Sequence, residues 1–217
     1  MIDLHTHTIF SDGGLLPSEL VRRALVNGYK AIGITDHVDA SNIDFVLPRI
    51  IKAAETLNKH WGITVLPGVE ITHAPLEEIP NLIKFARGNG AKIVVLHGET
   101  VSEPVLPGTN RTAIECGADI LAHPGHLYPE DAALAAEKGV YIEITTRKNH
   151  STTNAEVIQV AREANAKLVL NTDTHDEEDL INDKKATSFL KALKLTQDEI
   201  RQIFANSKEL FRNRSRS

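Results

Sequence analysis

The sequence predicts an α/β protein, a seven-stranded (β/α)7 TIM-like barrel with extra helices at its C-terminal end. Apolar runs of strand length alternate with helical patterns along the chain, which is typical of a parallel sheet whose strands are joined by helices. These apolar runs end repeatedly in His, Asp or Glu. The carboxyl ends of strands meet at one mouth of a barrel, whereas an open doubly wound sheet would spread them along a line. The polar strand ends therefore favour closure.

Each predicted strand is a short apolar run, and proline or glycine marks many of the predicted helix boundaries. The strands are predicted at 2–5, 31–35, 64–69, 92–96, 119–122, 140–144 and 167–171. The helices are predicted at 17–27, 45–61, 80–90, 110–117, 129–138, 153–165, 183–193 and 196–211. We expect one domain over 1–211, with the last helices covering the flank that seven strands leave open. Residues 212–217 are expected to fray, with Arg212, Arg214 and Arg216 solvated.

The composition excludes several classes of protein. The single cysteine, Cys116, rules out an internal disulfide framework and fits a reducing cytoplasm, which is the localisation we predict. No apolar run reaches the roughly 18 residues of a membrane span, and the N-terminus does not have the pattern of a signal peptide. The net charge of −5 argues against long nucleic acid as a partner. Glycine-rich dinucleotide and P-loop motifs are absent from the sequence.

Histidines and carboxylates at the strand ends are the candidate metal ligands. The chain has 10 histidines and one cysteine, which points to metals bound by imidazole and carboxylate groups. His5 and His7 are two residues apart on a strand, so both side chains face the same side. Asp12 follows in a glycine-rich turn that can fold back over the strand end. The full candidate set is His5, His7, Asp12, His37, Glu70, His97, His123, Asp173 and His175.

In combination, the motifs that contain these residues resemble those of the polymerase and histidinol phosphatase (PHP) superfamily. The motifs are His5-x-His7 with Ser11-Asp12-Gly13, Thr35-Asp36-His37, Gly68-Val69-Glu70, His97, Ala122-His123-Pro124 and Asp173-x-His175. The resemblance covers 1–175. It implies a distorted seven-stranded barrel, up to three divalent metal ions (Zn, Mn or Fe) and the hydrolysis of phosphoesters.

The resemblance also implies roles for single residues. His5 and His7 would hold one metal with Asp173, and Glu70 would bridge two metals. Asp12 and His37 would hold a further ion, and His97, His123 and His175 would complete the sites. Some relatives have histidine where this chain has Asp12, which puts the metal preference at that position in question. Asp36 is expected at the catalytic site beside the ligands, and the alternative is a helix or turn cap next to a ligand.

Clustered metals would supply the chemistry that phosphoester hydrolysis needs. They neutralise the phosphate oxygens and lower the pKa of a bridging water towards about 7. We therefore expect in-line attack by a metal-bridging hydroxide.

Other polar residues have more than one interpretation. His126 could donate a proton to the leaving group or lie on the surface. Arg147 is expected to bind phosphate through its guanidinium group. Arg111 could bind phosphate at a helix start, but a salt bridge is the alternative.

Some neighbouring residues are more typical of non-catalytic positions. His73 and His150 are expected outside the site. Glu99 and Glu103 are expected to face away from it, because carboxylates would repel a phosphate.

The predicted function is hydrolysis of a small soluble phosphomonoester, with histidinol phosphate the first candidate through the resemblance. A nuclease or nucleotide phosphatase of the same superfamily is one alternative. An amidohydrolase-type C–N hydrolase is another, and a non-catalytic metal-binding accessory module is the third. The sequence leaves the substrate, the identity of the metals and the oligomeric state open.

Overall fold

Alternating buried strands and amphipathic helices build the fold of this chain. The computed structural model describes residues 1–216. Its strands are β1 (Ile2–Asp3), β2 (Ala31–Ile34), β3 (His37–Val38), β4 (Thr64–Ile71), β5 (Ile93–His97), β6 (Ile120–Ala122), β7 (Tyr141–Thr145) and β8 (Leu168–Asn171). Its α-helices are α1 (Pro17–Val26), α2 (Ile43–His60), α3 (Ile79–Gly88), α4 (Thr109–Glu115), α5 (Pro129–Lys138), α6 (Asn154–Ala164), α7 (Asp183–Ala192) and α8 (Gln197–Ser215). Two 3-10 turns cover Ser151–Thr153 and Glu177–Asp179.

All strand pairs are parallel, and the order across the sheet is β1-β2-β4-β5-β6-β7-β8. The short β3 pairs with β4 as well. Its register, His37 opposite Glu70, continues the register of β2, in which Ile34 lies opposite Pro67. β2 and β3 are therefore one strand interrupted at residues 35–36. The prediction of a seven-stranded, TIM-like barrel wall is confirmed.

The barrel closes where its first and last strands meet. Thr6 and Thr174, which follow β1 and β8, form a parallel backbone bridge, and the His7 N–H donates to the Thr174 carbonyl at 2.8 Å. α8 packs against both β1 and β8, and its Asn206 side chain donates to the carbonyl of Leu168, the first residue of β8, at 2.8 Å. The expectation that a terminal helix covers the open flank is thus confirmed for α8. Because of this closure, the C-terminal ends of β1 and β8 lie side by side.

The apolar core lies between the strands and the helices. Helices α1, α3 and α5 have proline in the first turn, where the missing N–H costs no helical hydrogen bond. At the start of α8, Thr196 and Glu199 form a reciprocal capping box. No helix within residues 1–216 has both the length and the apolar character of a membrane-spanning segment.

The C-terminal end differs from the sequence-based expectation. α8 continues to Ser215, beyond Phe211 where we expected it to end. Arg214 is not simply solvated, because its guanidinium group forms an ion pair with the buried carboxylate of Asp119. Ser217 lies outside the described residues. The division into one domain over 1–211 and a frayed tail over 212–217 otherwise stays a prediction.

Candidate metal centre

The candidate ligands converge at the C-terminal mouth of the barrel. Right-handed parallel βα connections place all strand ends at one side, so residues far apart in sequence become neighbours. Most of the set is buried, and only Asp12 and His37 have appreciable exposed side-chain area, 59% and 24%. Each of the nine belongs to at least one group whose ligand atoms lie within 4.8 Å of one another; the nine are His5, His7, Asp12, His37, Glu70, His97, His123, Asp173 and His175.

The deepest group consists of His5, His7, Glu70 and Asp173. Glu70 Oε2 lies 3.1 Å from His5 Nε2 and 3.4 Å from His7 Nε2. Asp173 Oδ1 lies 3.6 Å and 3.1 Å from the same two nitrogens. Ligands bonded to a tetrahedral ion at 2.0–2.1 Å are separated by about 3.3 Å. The four side chains therefore have the spacing of one coordination shell.

A buried carboxylate in β7 orients His5. Glu143 Oε2 accepts from His5 Nδ1 at 2.8 Å and also from the Asn171 side-chain amide at 2.8 Å. The hydrogen of the ring is thereby placed on Nδ1, and the lone pair of Nε2 points at Glu70 and Asp173. Sequence reasoning missed Glu143, although a single charged residue inside an apolar strand was a signal that could have been used.

The outer group contains Asp12, His37 and His175, next to His7. His175 Nδ1 donates to the Asp173 carbonyl at 2.9 Å, so its Nε2 presents a lone pair to Asp12 Oδ1 at 3.1 Å. His37 Nδ1 likewise faces acceptors, and its Nε2 lies 3.5 Å from the same Asp12 oxygen. Facing lone pairs repel one another unless a cation, either a second ring proton or a metal ion, lies between them.

His123 connects the deep group to the opposite side of the mouth. Its Nε2 lies 3.6 Å from Glu70 Oε1 and 3.8 Å from Asp173 Oδ2. The ring centroid of His97 is 4.5 Å from that of His123. The two oxygens of Glu70 thus face different histidines, which fits the bridging role that the resemblance implies.

Several buried polar atoms of the centre make no hydrogen bond to any described residue. A buried polar atom without a partner costs about 1–3 kcal/mol, so a cluster of them needs a compensating ligand. The unpaired atoms are His5 Nε2, both ring nitrogens of His7, both carboxylate oxygens of Glu70, His123 Nδ1 and Asp173 Oδ1. Divalent metal ions fit this donor set of imidazole nitrogens and carboxylate oxygens.

The electrostatics of the centre favour the metal-binding protonation states of His7 and Glu70, whereas nearby carboxylates, against the effect of burial, raise the pKa of His5 and His123 and bring that of His37 to about 9. Burial, with His37 nearby, lowers the pKa of His7 to about 3, so its ring is neutral at neutral pH. Burial alone would raise the pKa of Glu70, but His5 and His37 hold it well below its ordinary value. Neutral imidazole and ionised carboxylate are the forms that coordinate metals.

Asp36 positions the loop that contains Asp12. Its Oδ1 accepts from the backbone N–H groups of Thr8 and Ser11 at 2.7 and 3.1 Å, and its Oδ2 accepts from the Thr8 hydroxyl at 2.8 Å. The loop also approaches the strand closely, because a Cβ on Gly13 would lie 2.7 Å from the His7 carbonyl. These contacts favour the turn-capping alternative for Asp36, which places Asp12 rather than reacting itself.

The three other predicted site residues differ in position. Arg147 lies at the edge of the centre, where its guanidinium group donates to Asp179 at 3.2 Å and lies 3.8 Å from Asp173 Oδ2. His126 is 68% exposed and pairs with Glu156 at 3.0 Å. Arg111 pairs with residues on α4 and α5. The structure therefore brings Arg147 to the centre, but neither His126 nor Arg111.

Three residues that we expected outside the site lie at its rim. Glu103 does not face away, because its carboxylate lies 3.0 Å from His73, 3.4 Å from His97 and 3.5 Å from His150. The expectation of phosphate repulsion took no account of three imidazoles around this carboxylate. His73 and His150 join the ring of histidines through these same contacts.

Comparisons with known proteins place this geometry in context. A family model described as "PHP domain" matches residues 3–100. An uncharacterized protein of Methanocaldococcus jannaschii is 48% identical over 200 residues, which cover 91% of this chain and 92% of that protein. A probable phosphatase of Shewanella loihica is 31% identical over 203 residues, covering 81% and 78%. A 5'-3' exoribonuclease of Haemophilus influenzae is 40% identical over 70 residues, 32% of this chain and 23% of that protein.

Solved structures share the fold at low sequence identity. Histidinol phosphate phosphatase from Lactococcus lactis, complexed with zinc, L-histidinol and phosphate, matches with a TM-score of 0.58 and 16% identity, covering 96% of this chain and 93% of that one. A chain in archaeal ribonuclease P with mature tRNA matches with a TM-score of 0.73 and 16% identity, covering 97% and 90%. At this identity the likeness concerns the fold alone.

Proposed function

This chain belongs to the PHP domain family, and from that premise we propose that it is a metal-dependent phosphoesterase that hydrolyses a small phosphomonoester. The observation that carries the proposal is the deep group of buried, mutually facing donor atoms around Glu70. Such an arrangement is costly without cations and is the kind of site that binds several of them. Relatives that cover most of this chain are named probable phosphatases.

The nine residues would hold up to three ions of zinc, manganese or iron. His5, His7, Glu70 and Asp173 would form the deep site. Asp12, His37 and His175 would form the outer site, and His97 and His123 would hold an ion on the far side of Glu70. When bound, such ions supply positive charge to the phosphate oxygens and activate water for attack.

The chain's own residues prepare the centre for this chemistry. Glu143 holds His5 in the tautomer whose lone pair faces the carboxylates. Asp36 fixes the loop that presents Asp12. Arg147 would bind a phosphate oxygen at the open side of the centre, since it is the guanidinium group that lies beside Asp173. The buried walls exclude bulk water from the deep group.

The test is release of inorganic phosphate from an aryl phosphate with added Mn²⁺ or Zn²⁺. His7→Ala and Asp173→Asn are expected to lose at least about a hundredfold in rate together with bound metal, because each removes a ligand of the deep group. The matched control is His60→Ala, at the exposed end of α2. A rate that chelation leaves unchanged would contradict the proposal.

The substrate is proposed to be small. The net charge of −5 disfavours long polyanions. Histidinol phosphate is the first compound to try, because a histidinol phosphate phosphatase shares this fold. A panel of sugar, amino-alcohol and nucleoside monophosphates would rank the candidates by kcat/KM.

A nuclease is the second candidate, favoured by the segment shared with a 5'-3' exoribonuclease. The discriminating measurement compares a single-stranded oligonucleotide with the monophosphate panel. Mononucleotide release from the oligonucleotide at a higher kcat/KM than any monophosphate would replace the phosphatase proposal by this one.

A further inference from the structure

A second cluster of metal-ligating side chains lies at the rim of the mouth. This rim cluster consists of His73, His97, Glu103 and His150. His73 follows β4, His97 ends β5, Glu103 lies in the loop between β5 and α4, and His150 follows β7. One ligand atom from each of His73, His97 and Glu103 lies within 4.8 Å of the others. Only His97 is shared with the nine candidate ligands.

The carboxylate of Glu103 is the common partner in the rim cluster. Its Oε2 lies 3.0 Å from His73 Nε2 and 3.4 Å from His97 Nε2. Its other oxygen, Oε1, lies 3.5 Å from His150 Nε2. The first two separations are close to the roughly 3.3 Å expected between ligands of a tetrahedral ion.

The hydrogen positions on His97 argue for a cation between it and Glu103. His97 Nδ1 lies 3.1 Å from the Gly98 carbonyl, which can only accept, so Nδ1 carries the ring hydrogen. Nε2 then presents a lone pair to a carboxylate oxygen. His97 is 2% exposed, whereas 36% of the Glu103 side chain is exposed, so solvent can reach this pair only from the side of the carboxylate.

The lone pair on His97 Nε2 faces Glu103. Among the described residues, the carboxylate recorded within 4 Å of His97 Nε2 is that of Glu103 and not that of Glu70. His150 is fixed beside them, because its Nδ1 lies 2.7 Å from the Thr100 hydroxyl and 3.0 Å from the Ser102 hydroxyl. The loop that supplies Glu103 thus also holds a second histidine of the cluster.

We propose that Glu103 and His73 complete, with His97, a divalent-cation site at the rim of the mouth. The donor set of two imidazoles and a carboxylate suits a first-row ion such as Zn²⁺ or Mn²⁺. His97 has a single lone pair, on Nε2, so the ion that it would hold in the proposed catalytic centre is this rim ion, and Glu103 and His73 are its further ligands outside the nine candidates. Its anchoring carboxylate comes from a loop, so the cation ties that loop to the ends of β4 and β5.

The experiment counts bound metal in the full chain. Metal-free protein is dialysed to equilibrium against Zn²⁺, and zinc per chain is determined by elemental analysis. Glu103→Gln and His73→Ala are each expected to bind one ion fewer than the unsubstituted chain. Glu137→Gln and His60→Ala, exposed residues on α5 and α2, are the matched controls and should keep the full content.

Full zinc content in both rim variants overturns the inference. Because His73 and Glu103 lie on different segments, the His73 variant decides the question if circular dichroism shows that Glu103→Gln is misfolded. His7→Ala separates this inference from the proposed function. If His7→Ala loses zinc and both rim variants keep it, the catalytic proposal stands and the rim site is removed. If both rim variants lose zinc and His7→Ala keeps it, the rim site is supported and the deep site is removed.

Discussion

A single buried carboxylate decides which nitrogen of His5 faces the centre. Glu143 accepts from His5 Nδ1 and is itself bound by Asn171, so the ring has one tautomer and one orientation. Partners of this kind also raise the basicity of the ligand, because the negative charge stabilises positive charge on the ring. Glu143 would therefore contribute to metal affinity without contacting a metal.

We expect Glu143→Gln to lower the affinity for the tightest-bound metal by about 10–100-fold. The amide keeps the size of the side chain and can still accept from His5, but it has no charge, so the fold should persist. Competition against a chelator of known affinity measures the change, with Glu137→Gln as the exposed control. An affinity equal to that of the unsubstituted chain would show that Glu143 has only a packing role.

The convergence of the nine candidate ligands could be predicted because each belongs to a motif and all except Asp12 lie at or just beyond the end of an apolar run. Glu103 could not, since residues 98–108 have no periodicity that would indicate where a side chain points. Its contacts with His73, His97 and His150 depend on how three separate strand ends and one loop meet in space. His126 shows the opposite case, because nearness to His123 in the sequence did not bring it to the centre.

At the scale of the elements, the end of the barrel opposite the mouth is held by Asp119. This buried residue precedes β6, and its Oδ2 accepts from the Val94 N–H of β5 at 2.8 Å. Its Oδ1 pairs with Arg87 of α3 at 3.2 Å and with Arg214 of α8. One carboxylate therefore links two strands of the wall to two helices, including the helix that covers the closure of the barrel.

Asp119→Ala should destabilise the protein by about 3 kcal/mol. The substitution leaves the Val94 N–H unpaired and removes the common partner of two guanidinium groups. Urea unfolding followed by circular dichroism measures the loss. Glu209 lies on α8, like Arg214, and forms an exposed ion pair with Lys167. Glu209→Ala should therefore cost less than about 1 kcal/mol. Equal costs for the two substitutions would mean that Asp119 does not link these elements.

At the scale of the whole molecule, the barrel could be predicted because its periodic signal is repeated along the chain. The alternation of strands and helices gives the order of the elements, and right-handed connections fix their common direction. The way the barrel closes was less accessible, because it depends on the bridge between Thr6 and Thr174 just beyond the regular strands. The interruption between β2 and β3 was also not predicted, since residues 31–38 read as one strand followed by a turn.

The closure of the barrel and the metal centre are coupled, and this coupling gives a prediction for metal removal. His5 and His7 follow β1, and Asp173 and His175 follow β8, so metals would crosslink the two strands at which the barrel closes. A ligand at a thousandfold excess over its Kd stabilises the folded state by about 4 kcal/mol. We therefore expect chelation to lower Tm by about 10 °C, measured by thermal unfolding with and without excess Zn²⁺.

The increase in Tm caused by bound metal should depend on pH and on the deep group of ligands. Against the effect of burial, the nearby carboxylates raise the pKa of His37 to about 9 and raise those of His5 and His123 above the ordinary value, so these rings bind protons in competition with metal and the increment in Tm should shrink as the pH falls from about 7.5 to 5. Asp173→Asn should abolish most of the increment at pH 7.5, whereas His60→Ala should keep it. If the increment were the same at both pH values or survived in Asp173→Asn, the stabilising ion would have to bind elsewhere than between β1 and β8.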